Sequence, residues 1–511
     1  MVDKNLACFA ARCWSMQQTM SKNLALRAPL QHRLSVRMRL AEIVLLTFVL
    51  LFGVALFAIT LKEGLLQTVL LFIFVTIVGL CLAHSTAIKV GDLKLRILGS
   101  FWMIKIVATL IFLYLGWMPM LEMGSGEVGF DPQRYYHLSQ ELLANDWNHD
   151  SIGINYIGII YFYAAIFFIF GVNPVIPALV NAFITFLCII YIVRTAYAFV
   201  PYLNQKSHYI AWLVLIPEVL WYDVMTSREN LMAVFIVIVI LGSGSVLNSV
   251  KKINVSGLAL VLSAMFGIIV IRTSMILPVI LSIVIIMFLK RSRSLLPLVL
   301  KFSLIPLGLV ALMGGVTLHL MLGDYSFNFS NHLSLVYDFA NNIASNSRMN
   351  WSDKSIGLLL VPNSLLEVMV FLPAKMILYL ASPLPKIGVS LSGLVAGDYS
   401  QWLRLMTCLT SLLMLLGFPY VLAGSALAWR NRIEFPALLV IPIGFWVTFA
   451  AVVGGNIIIN ERYRLMVTLL LFTCIWLGFT QSRISSVIRW AALWYGLLAA
   501  AAVFYLCYKY L

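Results

Sequence analysis

Three stretches of this 511-residue chain carry side chains of the types and spacing that chemistry uses. The first is Asp131-Pro132-Gln133-Arg134-Tyr135-Tyr136-His137 in a polar segment, 119–151, that sets six carboxylates (Glu122, Glu127, Asp131, Glu141, Asp146, Asp150) against one cation, Arg134. The second places Glu218, Asp223, Arg228 and Glu229 within twelve residues of otherwise apolar sequence. The third is Glu461-Arg462-Tyr463-Arg464, two arginines at the start of an apolar run. Carboxylates beside apolar segments can take a proton, and charges held at membrane depth are costly enough to count as site candidates. Paired guanidiniums at a helix start suit phosphate, because their planar forks and the helix N-terminus both attract it. Arg272 and Arg404, at the ends of other apolar runs, and Lys375 are placed for similar work. Each group has a plainer explanation as well: helix capping for Asp131, solvation for the other loop carboxylates and for His137 and His149, and snorkelling to headgroups for the arginines.

Composition decides what must position these groups. Residues are 62% hydrophobic and only 11% charged, against about 45–50% and about 25% in soluble domains. A water-soluble globule cannot be covered with so little charge, and the reading that remains is an all-α polytopic membrane protein. The seven cysteines lie in the N-terminal tail or in apolar runs, which excludes a disulfide scaffold. Runs approaching the ~20 apolar residues a crossing helix needs occur near 43–61, 65–83, 98–118, 175–198, 209–224, 230–248, 255–271, 274–289, 296–318, 402–428, 435–453, 465–481 and 487–508, about thirteen spans. Two further apolar stretches, 152–171 and 356–382, are aromatic-rich or interrupted by prolines and are expected to lie at the interface.

With the N-terminus in the cytoplasm and the spans alternating, the inner segments hold 22 of the 35 Lys and Arg but four of the 20 Asp and Glu, while the outer face holds 12 basic and 16 acidic residues. Adding either set-aside stretch as a span would destroy that asymmetry, so the +15 net charge is a topology signal. Nucleic acid is not needed to explain it. The expected organisation is a basic tail (1–41), two leading spans (42–97), a core (98–318) with outer loop 119–174, a second outer loop with an interfacial segment (319–400) and C-terminal helices (401–511). Asp131 and Pro132 open a short helix with Tyr135, Leu138 and Leu142 on one face, and Gly171 and Asn173-Pro174 end the aromatic stretch.

This order of motifs resembles the membrane-embedded GT-C glycosyltransferases, such as the protein O-mannosyltransferases and aminoarabinose lipid A transferases. An outward Asp131 follows an inward-to-outward helix, the segment 215–231 resembles the helix–loop–helix with the superfamily's second acidic residue, and Arg462-Tyr463-Arg464 resembles its late Arg-Tyr motif. The sequence departs from the pattern in its two leading spans, in an Arg228-Glu229 pair at the second acidic position, and in lacking a soluble domain after 481. The resemblance implies a sugar donor on a polyprenyl phosphate and an acceptor hydroxyl on a lipid, glycan or protein, at the outer face of a bacterial inner membrane. It further implies Asp131 and Glu229 as catalytic residues, and Arg462, Arg464, Tyr463, Arg272 and Arg404 at the donor phosphate. Tyr135, Arg134, Glu218, Arg228 and His137 would line the substrate, and Asp131 with Glu229 would hold a divalent cation (Mg or Mn) if one is used. Two other functions fit parts of the sequence. A polysaccharide polymerase or O-antigen ligase would use His319, His332 and Arg348 in loop 319–355. A lipid or solute transporter would show internal repeats and midplane charges, but no repeat is visible.

Overall fold

The computed structural model describes residues 65–122, 131–148, 157–200, 206–248, 255–272, 275–289, 365–382, 389–432, 436–455 and 461–510. The expected tail, the spans 43–61 and 296–318, loop 319–355, Glu127, His149 and Asp150 lie outside them. The described residues are helical, with no strand among them. The helices are α1 (Leu65–Val90), α2 (Ile97–Phe112), α3 (Asp131–Ala144), α4 (Ile157–Phe170), α5 (Val175–Phe199), α6 (Pro217–Asp223), α7 (Arg228–Asn248), α8 (Val255–Arg272), α9 (Ile276–Leu289), α10 (Leu365–Ala381), α11 (Tyr399–Arg430), α12 (Val440–Gly455), α13 (Glu461–Gln481) and α14 (Ile484–Tyr510).

Among the described residues, eight helices are long and apolar enough to cross a membrane. They match the runs expected near 65–83, 98–118, 175–198, 230–248, 255–271, 402–428, 435–453 and 465–481. The run expected as one span at 209–224 is instead two pieces, a 3-10 segment Ser207–Leu215 followed by α6. Pro217 explains the break: a residue before proline is pushed out of the helical region, and Ile216 is extended at φ −62, ψ 120. Irregular backbone at membrane depth survives only when protein covers it, and Ile210, Ala211, Leu213, Val214 and all of α6 beyond Pro217 are buried. α9, expected as a span from 274, is described over Ile276–Leu289, and the residues that follow it lie outside the described ones. The two set-aside stretches form α4, with 14 residues, and α10, with 17 residues and Pro373 inside.

The ends of the bundle are tied by polar contacts that sort into two groups. At one end Asp92 caps the turn before α2 by accepting from Lys94 N, and it also accepts from Tyr197 and Ser207 hydroxyls at 2.8 and 2.7 Å. There too Arg194 donates to Ser85 and Thr86, and Trp476 Nε1 donates to Ser207 O. Thirteen residues back along α5, ~20 Å at 1.5 Å per residue, Asn181 meets the turn between α6 and α7. The two groups of contacts thus lie toward opposite ends of α5.

α11 and α13 pack backbone to backbone. A Cβ on Gly478 would stand 1.9 Å from Tyr420 O, and one on Gly424 would stand 2.9 Å from Gly478 N. Small residues allow such approach in membranes, where packing rather than hydrophobicity drives helix association. Gly478→Ala is expected to cost about 1–3 kcal/mol of stability, read as a lower unfolding temperature in detergent. An unchanged temperature would show that the contact is not tight.

Candidate functional site

α3 begins at Asp131, with Pro132 second, where its missing N–H costs nothing. Its buried face (Pro132, Gln133, Tyr135, Tyr136, Ser139, Leu142) lies on α4: Ser139 Oγ donates to Tyr135 O and Ile160 O, and Tyr136 meets Phe167 edge-on at 5.3 Å. Burial pushes the Tyr136 phenol well above its usual range, so it stays protonated at neutral pH. The helix ends in a Schellman arrangement, Trp147 N to Leu142 O at 2.8 Å and Asp146 N to Leu143 O at 3.4 Å, with Asp146 at φ 50. α4 sits close to α8 because position 158 is glycine; a Cβ there would fall 2.3 Å from Val270 O. That approach brings α3 and α4 up to the end of α8, where Arg272 stands.

From the other end of the chain, α13 brings Arg462. Its Nη1 donates to Asp131 Oδ2 at 2.7 Å, joining residues 331 positions apart, and the pair is neither fully buried nor open, with the side chains 27% and 30% exposed. Arg462 Nη2 donates to the Tyr463 hydroxyl at 3.2 Å. The Arg462 and Arg272 guanidiniums both lie over the Tyr463 ring, at 5.0 and 4.8 Å from its centre. Glu229 faces Arg228 at 3.4 Å and accepts from Ser227 Oγ at 3.0 Å. These pairs form one electrostatic cluster: Arg228 is in range of Glu229, Tyr135, Asp131 and Tyr463, and Arg272 is in range of Arg228, Tyr463, Glu229 and Arg462. Among the described side chains the cluster sets three guanidiniums against two carboxylates. Arg272 Nη1 is buried with no hydrogen-bond partner among the described residues. A surplus positive charge and a buried unused donor make this an anion-attracting site.

The remaining candidates separate from one another. Arg464, two residues past Arg462, turns into the protein. Its Nε donates to Glu218 Oε2 at 3.0 Å, Nη1 to Ser382 O, Ser411 Oγ and Tyr379 O at 2.6, 2.7 and 3.1 Å, and Nη2 to Thr407 O at 3.0 Å. Arg464 and Glu218 are 1% and 0% exposed, so this pair is placed as a pin between α6, α10, α11 and α13. Asp223 pairs with Lys105 of α2 and accepts from Thr185 and Asn230 at 2.7 Å each. The four charges that the sequence crowds together thus divide among three separate ion pairs. Arg404 and Arg134 are exposed, His137 is half-buried beside Tyr136, and Lys375 is buried in α10. The sequence assigns no site role to Thr226 and Ser227 of the turn between α6 and α7, or to Tyr163 and Asn181 that hold it. Their signal in the sequence is an isolated polar side chain inside an apolar span.

No three Asp, Glu, His or Cys side chains come together among the described residues, and Asp131 and Glu229 each already face a guanidinium.

What fold and site define is an all-helical integral membrane protein with a partly buried cationic cluster at one end of its bundle. Comparison with protein-family models, curated proteins and solved structures returns no match.

Proposed function

We propose that the protein is an inverting GT-C-type glycosyltransferase, moving a sugar from a polyprenyl-phosphate donor to an acceptor hydroxyl at the outer face of a bacterial inner membrane. The observation that supports this most is the Asp131–Arg462 pair, which sets a carboxylate able to take a proton in direct contact with a guanidinium suited to phosphate. In this reading the acceptor oxygen attacks the anomeric carbon from the face opposite the phosphate, and the carbon–oxygen bond to phosphate breaks. The acceptor proton passes to Asp131, and the bonding electrons leave with the phosphate. Arg462, Arg272 and Arg228 meet that growing charge, where preorganised cations are worth most. Arg462 has two anionic claimants, so donor binding draws it from Asp131 to the phosphate and leaves the carboxylate able to accept a proton. Glu229 holds Arg228 in place. The acceptor is a lipid, glycan or protein hydroxyl, the topology is about thirteen spans with the N-terminus cytoplasmic, and Arg464 and Glu218 serve as framework.

Lipid-linked and surface glycans measured by mass spectrometry in wild-type, deletion and Asp131→Asn strains test the reading. A glycan lacking one sugar in both altered strains is expected. Wild-type glycans in both would rule the enzyme out.

A further inference from the structure

The four-residue turn between α6 and α7 is tethered at nearly every position. Asn181 Nδ2 donates to Met225 O at 2.8 Å and Asp223 O at 3.3 Å. The Tyr163 hydroxyl shares its proton between Asn181 Oδ1 at 3.2 Å and Ser227 O at 3.3 Å. Ser227 Oγ serves Glu229. Thr226 differs from the rest. Its side chain leaves the turn and donates to the carbonyl of Pro132 on α3. Thr226, Ser227, Asn181 and Tyr163 are all 0% exposed. Backbone carbonyls at membrane depth need partners, which accounts for Asn181 and Tyr163 without any reference to chemistry. Thr226 also gives a backbone carbonyl a partner, but its bond ties the turn to α3 next to the groups that matter. Pro132 follows Asp131 directly, and two residues after Thr226 comes Arg228.

We infer that Thr226 is a positioning residue that fixes the turn bearing Arg228 and Glu229 against the helix start bearing Asp131. This rests on the glycosyl-transfer reading above and adds a residue to it. A single neutral hydrogen bond contributes little to stability, but an error of about 1 Å in the placement of reacting groups costs about 10²-fold in rate. The bond's effect should therefore appear in turnover rather than in folding or in ground-state donor affinity, which rests on Arg462 and Arg272, while Arg228 acts on the charge that grows in the transition state.

The test uses the full-length protein in proteoliposomes with a polyprenyl-phosphate sugar. Thr226→Val keeps the shape and removes the hydroxyl; Thr226→Ser keeps the hydroxyl. Thr226→Val is expected to lower kcat at least about ten-fold with donor KM within about three-fold and an unchanged unfolding temperature, and Thr226→Ser to restore kcat to near wild type. Wild-type kcat in Thr226→Val, or equal losses in both variants, overturns the inference. If Thr226→Val does not yield folded protein, Thr226→Ala against Thr226→Ser reads the same hydroxyl. Asp131→Asn is the control. Full turnover in that variant removes Asp131 from the chemistry, and no sugar transfer by the wild type sinks the transferase reading itself, whereas an inactive Asp131→Asn beside an unimpaired Thr226→Val sinks only the role of Thr226.

Discussion

Asp131→Asn is expected to lower turnover by about 10²–10⁴-fold, the range for losing a general base, while donor KM stays level or falls. The two parameters should separate because the substitution removes a proton acceptor and a competitor at once. Asparagine has the size of aspartate but cannot take the acceptor's proton. It also withdraws the negative charge that Arg462 contacts at 2.7 Å, leaving three guanidiniums with one carboxylate among the described side chains. An anionic phosphate then meets a more positive site. A residue that merely caps α3 would behave otherwise, since losing a cap costs about 1 kcal/mol of stability and no specific loss of kcat. Steady-state kinetics with varied donor distinguish the outcomes, and wild-type kcat would remove Asp131 from the chemistry.

Glu218→Gln is expected to destabilise the protein by about 3–5 kcal/mol, the cost of leaving one partner of a buried ion pair uncompensated. Arg464 would then stay 1% exposed with only carbonyls and a hydroxyl around it. Arg464→Met should do comparable damage for two reasons. It strands Glu218, and it deprives the carbonyls of Tyr379, Leu380 and Ser382 at the end of α10 of their donor. A Glu218→Leu/Arg464→Met double variant should recover the charge portion but not the capping portion, so its unfolding temperature should lie between the single variants and wild type. Polyprenyl-phosphate affinity should stay near wild type in whatever folded fraction the double variant yields. A double variant no more stable than either single, or one that folds fully but loses the lipid, would return Arg464 to the phosphate.

The sequence made some of this structure legible and hid the rest for identifiable reasons. Long apolar runs mark α1, α5, α7, α8, α11 and α13 because a bilayer demands length and hydropathy, which are read from one strand of text. The 207–223 passage has the same hydropathy, and only Pro217 within it announces the break. Asp131 and Arg462 stood out because charge beside apolar sequence is rare, yet nothing in either segment encodes their meeting. That depends on α4 settling on α8 at Gly158 and on α13 settling on α11 at Gly478. Arg462 and Arg464 are alike as text. At 100° per residue on a helix they point ~200° apart, one toward Asp131 and the other toward Glu218. Lys105 is a lone cation inside an apolar run, and its acid, Asp223, lies on a separate element far along the chain. Thr226 lies within the 215–231 segment that the resemblance marks, but nothing there tells that its hydroxyl reaches α3, and Asn181 is hidden because amides in apolar runs usually bond within their own helix.

The most direct measurement of the central claim is binding of polyprenyl phosphate to the purified protein, followed by native mass spectrometry, for wild type against Arg462→Gln and Arg272→Gln. The account predicts a bound lipid in wild type, displaced by excess inorganic phosphate and weakened about ten-fold or more in each variant, since a charge-assisted bond contributes about 1.5–3 kcal/mol. Equal retention of the lipid by all three proteins would mean that the Asp131–Arg462 cluster does not grip phosphate, and the account would fail.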